Sequence, residues 1–405
     1  MQLSFGDFSE KLLRAAYALL FVATPPLSVF APRAMALMLV VAGVLALPSL
    51  WVQRIKAVQL LYRLRYWLLA AAALLVWGAL GISPLMHILE KIYLPTLGYL
   101  LAAIALWNGV GVLTATQAQK LWRCMVAGFV LAALLFAIEW LGKMPINSFI
   151  NELKDKGRPH SYDLDRGLVL ISFMVWPLLL GLAYTCKAIS VVRWVMWIVP
   201  PLMAYLVGHT MSQASMVGLV ISYLAFICWQ IFPRVTPYFM QAGILAGFMT
   251  APLVALWLEQ IFGTDRSLWP DASAGDRIAI WIDTVGHILQ RPLTGYGFEA
   301  VRFFEGLGAY RGHPHSAPLQ LWVELGVVGP LVVALALAAI VRNVCAMSPR
   351  HEDAWGQRLM LASVAGWVLV SSVSYGIWQG WWMATMVTIP LMFAIVRRMR
   401  VTPPA

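Results

Sequence analysis

The sequence predicts an all-α polytopic integral membrane protein with about twelve spans. Three observations predict it. Of its 405 residues, 61% are hydrophobic and 12% charged, whereas a soluble domain carries roughly 25% charged residues. The apolar residues fall in runs of ~20, the length of helix that crosses a bilayer. The 19 tryptophans suit the half-wet interface at the ends of such helices. Length therefore gives no count of soluble domains.

In order, the spans are expected at 13–30, 34–52, 66–86, 94–113, 124–142, 167–185, 194–210, 214–232, 238–258, 318–341, 359–377 and 380–396. The first pair, broken by ATPPLSVFAPR, reads as two spans or as a helical hairpin. The N-terminal MQLSFGDFSEKLLRAAYALLF carries Asp7 and Glu10 and lacks a clear small-residue cleavage site, so its apolar part reads as a retained first helix. The expected organisation is nine spans over 1–258 with a charged loop at 143–166, a large loop at 259–317, and three spans with a tail over 318–405.

The formal net charge of +11 belongs to topology rather than to a nucleic-acid partner. Lys11, Arg14, Arg54, Lys56, Arg63, Arg65, Lys120, Arg123, Lys187, Arg193, Arg234, Arg342, Arg350, Arg358, Arg397, Arg398 and Arg400 fall on one side of the expected spans, opposed by few acids. Such an excess marks the cytoplasmic face, which places both termini there. Cys124, Cys186, Cys228 and Cys345 lie near helix ends on that side, and no disulfide or zinc framework is suggested.

On the other face two loops stand out. Residues 143–166 carry Lys154, Lys156, Arg158, His160, Asp163, Asp165 and Arg166. They read as a solvated face, or as one wall of a site in which Arg158 or Arg166 binds phosphate. Residues 259–317 are too long for a helix connector and too rich in aromatics for disorder, with Trp269, Trp281, Tyr296, Phe298, Phe303, Phe304 and Tyr310. Within them GDRIAIWIDTVGHILQ sets Ile278, Trp281, Ile282, Val285 and Ile288 on one stripe, an amphipathic helix. RPLTGYGFEA follows as a turn-rich segment. The loop holds Arg266, Arg277, Arg291, Arg302 and Arg311 among nearby acids, so individual arginines matter rather than a bulk cation patch. Guanidinium matches phosphate oxygens bidentately and stays charged. A headgroup-level phosphate or pyrophosphate fits this kit, and so does pairing with the acids.

The stretch RGHPHSAPLQLWVELGVVG ends the loop. Pro314 and Pro318 put His315 in a turn, and Ser316 is placed to cap the helix that follows. A histidine at that positive helix end is held neutral, and a neutral imidazole can take a proton. His315 fits a general base or an interfacial polar side chain. His313 and His315 lack the carboxylates and HExxH spacing of a metal site. Glu324 is costly inside an apolar helix unless paired, while Gly326 and Gly329 read as close helix packing. Ser212 reads as a cap for the helix after it.

These residues resemble the O-antigen ligase and polymerase superfamily. His315-Ser316, nine residues, Gly326, two residues and Gly329 match the ligase pattern of His, Asn/Ser/Gln, nine residues, Gly, two residues, Gly/Thr/Tyr. Arg277 to Trp281 resembles the family's Arg-xxx-Leu/Trp segment, and RPLTGYGFEA its Pro-Leu-x-Gly-x-Gly turn. The chain departs from the family where Ser212-Gln213 stands for Ser-Arg, and where Asp163 to Arg166 stands for Asn-Pro-Asn.

The resemblance implies a GT-C-like glycosyltransferase, an O-antigen ligase of lipopolysaccharide biosynthesis in the bacterial inner membrane with its site facing the periplasm. The implied donor is undecaprenyl-diphosphate-linked O-antigen and the acceptor is lipid A–core oligosaccharide. The reaction is inverting, with no metal and no other cofactor. His315 takes the place of the base, Arg277, Arg266 and Arg158 bind diphosphate, and His313, Arg311 and Arg166 are accessory. O-antigen polymerase is the alternative within the superfamily. A lipid-linked sugar flippase or other transporter is the alternative outside it.

Overall fold

The structure is a computed structural model describing residues 5–155, 157, 164–210, 212–263, 272–304, 312–347 and 354–400. Among the described residues it is all-helical, without strands. Among the described residues eleven helices are long and apolar enough to cross a membrane, and a twelfth span is completed if Thr236–Met249 and Ala251–Phe262 form one bent crossing. The first two apolar runs are separate helices of crossing length, Gly6–Phe30 and Ala34–Val52.

The helix Asp165–Thr185 is the centre of the bundle and is buried along most of its length, whereas Arg54–Ala79 buries only Gly78 and forms the rim. The central helix packs against Ala115–Leu141, Gln213–Ile231, Ala354–Val373 and Gly380–Arg398. Its side chains are apolar on nearly every face, which is the pattern of an enclosed helix. Asp165 and Arg166 begin it, so its charged end is carried to one rim of the bundle.

Two expected spans are broken. The 238–258 run bends by 73° between Met249 and Ala251. Pro252 supplies no backbone donor, and Thr250 turns its hydroxyl back to the Ala246 carbonyl at 2.8 Å. The 318–341 run is two helices, Ala317–Leu325 and Val328–Ala346. The first is nine residues and too short to cross, so the continuous span expected there does not exist. The cause is Gly326, whose φ of +62° is left-handed and where a Cβ would overlap the Leu293 carbonyl. Gly326 is thus a chain break that admits a loop, in place of the helix-packing role expected of it. Gly329 does serve close packing, since a Cβ there would lie 2.7 Å from Leu325 Cβ.

The admitted loop is the Pro-Leu-Thr-Gly-Tyr-Gly turn. Val327 N donates to Pro292 O at 2.8 Å, Tyr296 N to Val323 O at 2.9 Å and Gly297 N to Glu324 O at 2.7 Å. Its far side docks on the rim helix, where Phe298 N donates to Gly78 O at 2.9 Å and Trp77 Nε1 to Thr294 O at 3.0 Å. These bonds answer the carbonyls a broken helix leaves open.

Candidate active site at the histidine turn

The loop helix Ala272–Gln290 buries Ile278, Ile280, Val285 and Ile288 and exposes Asp283. Trp281 and Ile282, expected on the buried stripe, are half-buried at its margin. The helix packs against Ala255, Tyr296, Ala300, Leu319 and Val323, so its apolar face lies on protein. Trp281 Nε1 donates to Pro314 O at 2.9 Å, which ties this helix to the histidine turn. The turn ends at Ser316, whose hydroxyl caps Ala317–Leu325 by accepting from Leu319 N at 3.4 Å. Ser212, by contrast, makes no cap bond; its hydroxyl meets that of Ser215 at 2.8 Å.

His315 holds a left-handed φ of +53°. A non-glycine residue there is uncommon and strained. Its Nδ1 lies 3.1 Å from the Ser374 carbonyl. A carbonyl only accepts, so in the neutral ring Nδ1 carries the proton and the basic lone pair is on Nε2. The His313 ring lies tilted by 50° against it with ring centroids 4.2 Å apart, and its Nε2 lies 2.7 Å from Gln379 Nε2. Burial first, then the charges of His315, Arg302 and Arg166, push the His313 pKa down to about 3.

Three arginines converge on this turn. Arg277 Nη1 donates to Val373 O at 3.2 Å. The Arg166 guanidinium lies 6.0 Å from the Trp381 ring. Arg277 and Arg166 both act on the half-buried Tyr375, whose hydroxyl is held above its usual range by desolvation first and by Asp165 second, against the pull of both arginines. Arg302 pairs with Glu299, and a Cβ on Gly312 would sit 2.6 Å from its Nη1. The structure brings His313, His315, Arg277 and Arg166 to the same end of the bundle. Arg158, Arg266 and Arg311 lie outside the described residues, as do Trp269 and Tyr310.

Sequence reasoning missed Arg302 as a member of this group and missed the 374–379 turn as part of the site, since the span expected at 359–377 ends at Val373. That turn joins Ala354–Val373 to Gly380–Arg398 and supplies Ser374, Tyr375, Trp378 and Gln379. The available signal was its composition, a serine, a tyrosine, a glycine and a glutamine between two apolar runs. Glu324, flagged as costly, is fully buried and accepts from Gln320 Nε2 at 2.8 Å, Trp378 Nε1 at 2.6 Å and Glu299 N at 3.1 Å. Burial pushes its pKa up to about 8, against those donors. Among the described residues no three His, Cys, Asp or Glu side chains are grouped to hold a metal ion.

Beside the turn, the bend at Thr250 opens an apolar cavity of about 520 Å³. Phe248, Leu258, Trp281, Leu319 and Val373 line it, and Ser316 marks its end at the histidine turn. The site therefore joins a charged, hydrogen-bonding end to an apolar slot.

Residues 201–334 match the family described as O-antigen ligase, and the matched region includes the loop helix and the histidine turn. The chain is 24% identical over 284 residues to "Putative polysaccharide ligase RT0347" of Rickettsia typhi, covering 67% of each chain. It is 24% identical over 279 residues to "Putative polysaccharide ligase RC0486" of Rickettsia conorii, covering 66% of this chain and 64% of that one. No solved structure matches.

Proposed function

We propose that the protein is a glycosyltransferase that ligates O-antigen polysaccharide from undecaprenyl diphosphate onto lipid A–core oligosaccharide at the periplasmic face of the inner membrane. The observation that carries this reading is the histidine turn. His315 is oriented with its basic lone pair on Nε2, Arg277 bonds the Val373 carbonyl next to the Ser374 that holds it, and Arg166 and Arg302 act on the adjacent His313. The family match and the names of the relatives support polysaccharide ligation as the reaction class.

The acceptor hydroxyl oxygen attacks the anomeric carbon from the face opposite the diphosphate, with inversion. His315 Nε2 takes the hydroxyl proton as the new C–O bond forms. The bond from the anomeric carbon to the diphosphate oxygen breaks, and that oxygen leaves with the electron pair. Arg277 takes up the growing charge, with Arg166 and Arg302 beside it and with Arg266 and Arg158 assigned to diphosphate binding by the sequence. Fixed cations aimed at such a charge lower the barrier by about 3 kcal/mol each. The apolar slot takes the polyprenyl chain. The positive-side rule, with the bent pair counted as a twelfth crossing, supports an orientation with both termini in the cytoplasm, opposite the site.

Purified protein in detergent, given a lipid-linked glycan and lipid A–core, transfers glycan on this account. Absence of transfer, with folded protein and intact donor, sinks it. A deletion strain separates the neighbouring activities: free lipid-linked polymer with unmodified core is the expected result, and core bearing a single repeat assigns the protein to polymerisation instead.

A further inference from the structure

We infer that Gln320, Glu324 and Gln379 are positioning residues that hold the 374–379 turn, and through it the histidine pair, in the geometry of the transfer step. This deepens the reading of His315 as the base and rests on it. The network starts at Glu324, whose three partners come from three segments: Gln320 on its own helix, the Glu299 backbone and Trp378 of the turn. All three donate, so the contacts hold the ionised carboxylate against the burial that favours its protonated form. Gln320 is itself 1% exposed. Its amide NH2 is committed to Glu324, so its carbonyl faces Ile377 N, which donates at 3.0 Å. Glu324 and Gln320 together thus grip the turn at Ile377 and Trp378.

The gripped turn reaches both histidines. Its Ser374 carbonyl fixes the proton of His315 on Nδ1. Its Gln379 is oriented by the Trp381 indole, which can only donate and reaches Gln379 Oε1 at 2.8 Å. The Gln379 NH2 therefore faces His313 Nε2 at 2.7 Å. The His315 backbone N–H also approaches His313, with Nδ1 at 3.2 Å. Both ring nitrogens of His313 face donors, and a neutral ring accepts at only one; the shorter contact, to Gln379, wins. An imidazolium has no acceptor in either direction. The arrangement keeps His313 an uncharged plate against His315 and keeps a second positive ring away from the base. The bonds span 54 to 66 residues of chain, so the geometry belongs to the assembled site and not to any one helix.

The test uses full-length protein in detergent with an undecaprenyl-diphosphate-linked glycan and lipid A–core. Gln379→Leu, Gln320→Leu and Glu324→Gln are expected to lower kcat roughly 10- to 100-fold, the scale of a small misplacement of reacting groups. KM for the donor should move by less than about three-fold, because none of the three is assigned to hold it. Glu324→Gln keeps the shape but turns an NH2 onto groups that donate. The Gln320→Leu/Gln379→Leu pair should cost no more than its worse member, since both act through one turn. Turnover of Gln379→Leu and Gln320→Leu within two-fold of wild type overturns the inference, as does a loss confined to KM or matched by the fraction of unfolded protein. If Glu324→Gln or Gln320→Leu fails to fold, Gln379→Leu, which is only half-buried, decides. His315→Ala run alongside separates the two levels. An inactive His315→Ala with normal relay variants overturns only the positioning role, and an active one overturns the base itself.

Discussion

Glu139 and Glu324 are both fully buried and both accept three hydrogen bonds, yet they organise different things. Glu139 takes its donors from Ile146 N, Asn147 N and Asn147 Nδ2, all within eight residues. It closes the corner between Ala115–Leu141 and the short helix Pro145–Leu153, where Lys143 and Met144 hold left-handed φ. Glu324 takes two of its three from 25 and 54 residues away. One carboxylate shapes a local turn; the other ties together the loop, the short helix and the turn between the last two spans. Burial and bond count are equal, so what separates structural from functional charge here is the distance along the chain over which the bonds reach.

Removing the chemistry should outweigh removing either carboxylate. His315→Ala is expected to lower kcat by roughly 10² to 10⁴, the range of a positioned general base. Arg277→Ala should cost roughly 10² to 10³ in kcat, and Arg277→Lys should recover only part, since ammonium lacks the planar fork. The two glutamates come next and sharpen the comparison directly. Glu139→Gln should cost about 1–3 kcal/mol of stability by unsettling a buried bonded group, with kcat per folded molecule within two-fold. Glu324→Gln should reverse that balance, and equal behaviour of the two in thermal unfolding and turnover would erase the distinction. Gly247, on the cavity wall, has open space where a Cβ would go. Gly247→Leu should raise KM several-fold for the undecaprenyl donor and leave a short-chain prenyl analogue unaffected, as partial filling of an apolar slot requires.

The smallest effect concerns pH. The folded pKa of His313 is about 3, below its ordinary 6.5. The unfolded chain therefore binds a proton that the folded one refuses between those values, and stability falls as pH drops through that window. His313→Gln should flatten the acid side of the unfolding profile. An unchanged slope would show that the ring is protonated in the fold.

Much of the outline was legible because membrane helices announce themselves by length and composition. The His315 turn, the Ser316 cap and the Arg277 helix were legible too, since prolines, a capping hydroxyl and a 3.6-residue stripe are local signals. The break at Gly326 was not, because a glycine in an apolar run fits close packing as well as a left-handed turn; only the Leu293 carbonyl lying against it decides. The bend at Thr250 was hidden the same way, inside a run apolar on both sides. The 374–379 turn was missed because its partners, Gln320 and His313, sit 57 and 66 residues away, and no periodicity carries that pairing. Arg302 looked like one arginine among five until Gly312 was seen beside it.

A structure with the lipid diphosphate donor and the acceptor sugar bound tests the central claim most directly. The account predicts the acceptor hydroxyl within hydrogen-bond reach of His315 Nε2, about 2.6–3.2 Å. It predicts the diphosphate on Arg277 and the prenyl chain in the slot between Phe248 and Val373. A diphosphate bound away from Arg277, or a His315 Nε2 turned from the acceptor, would contradict it.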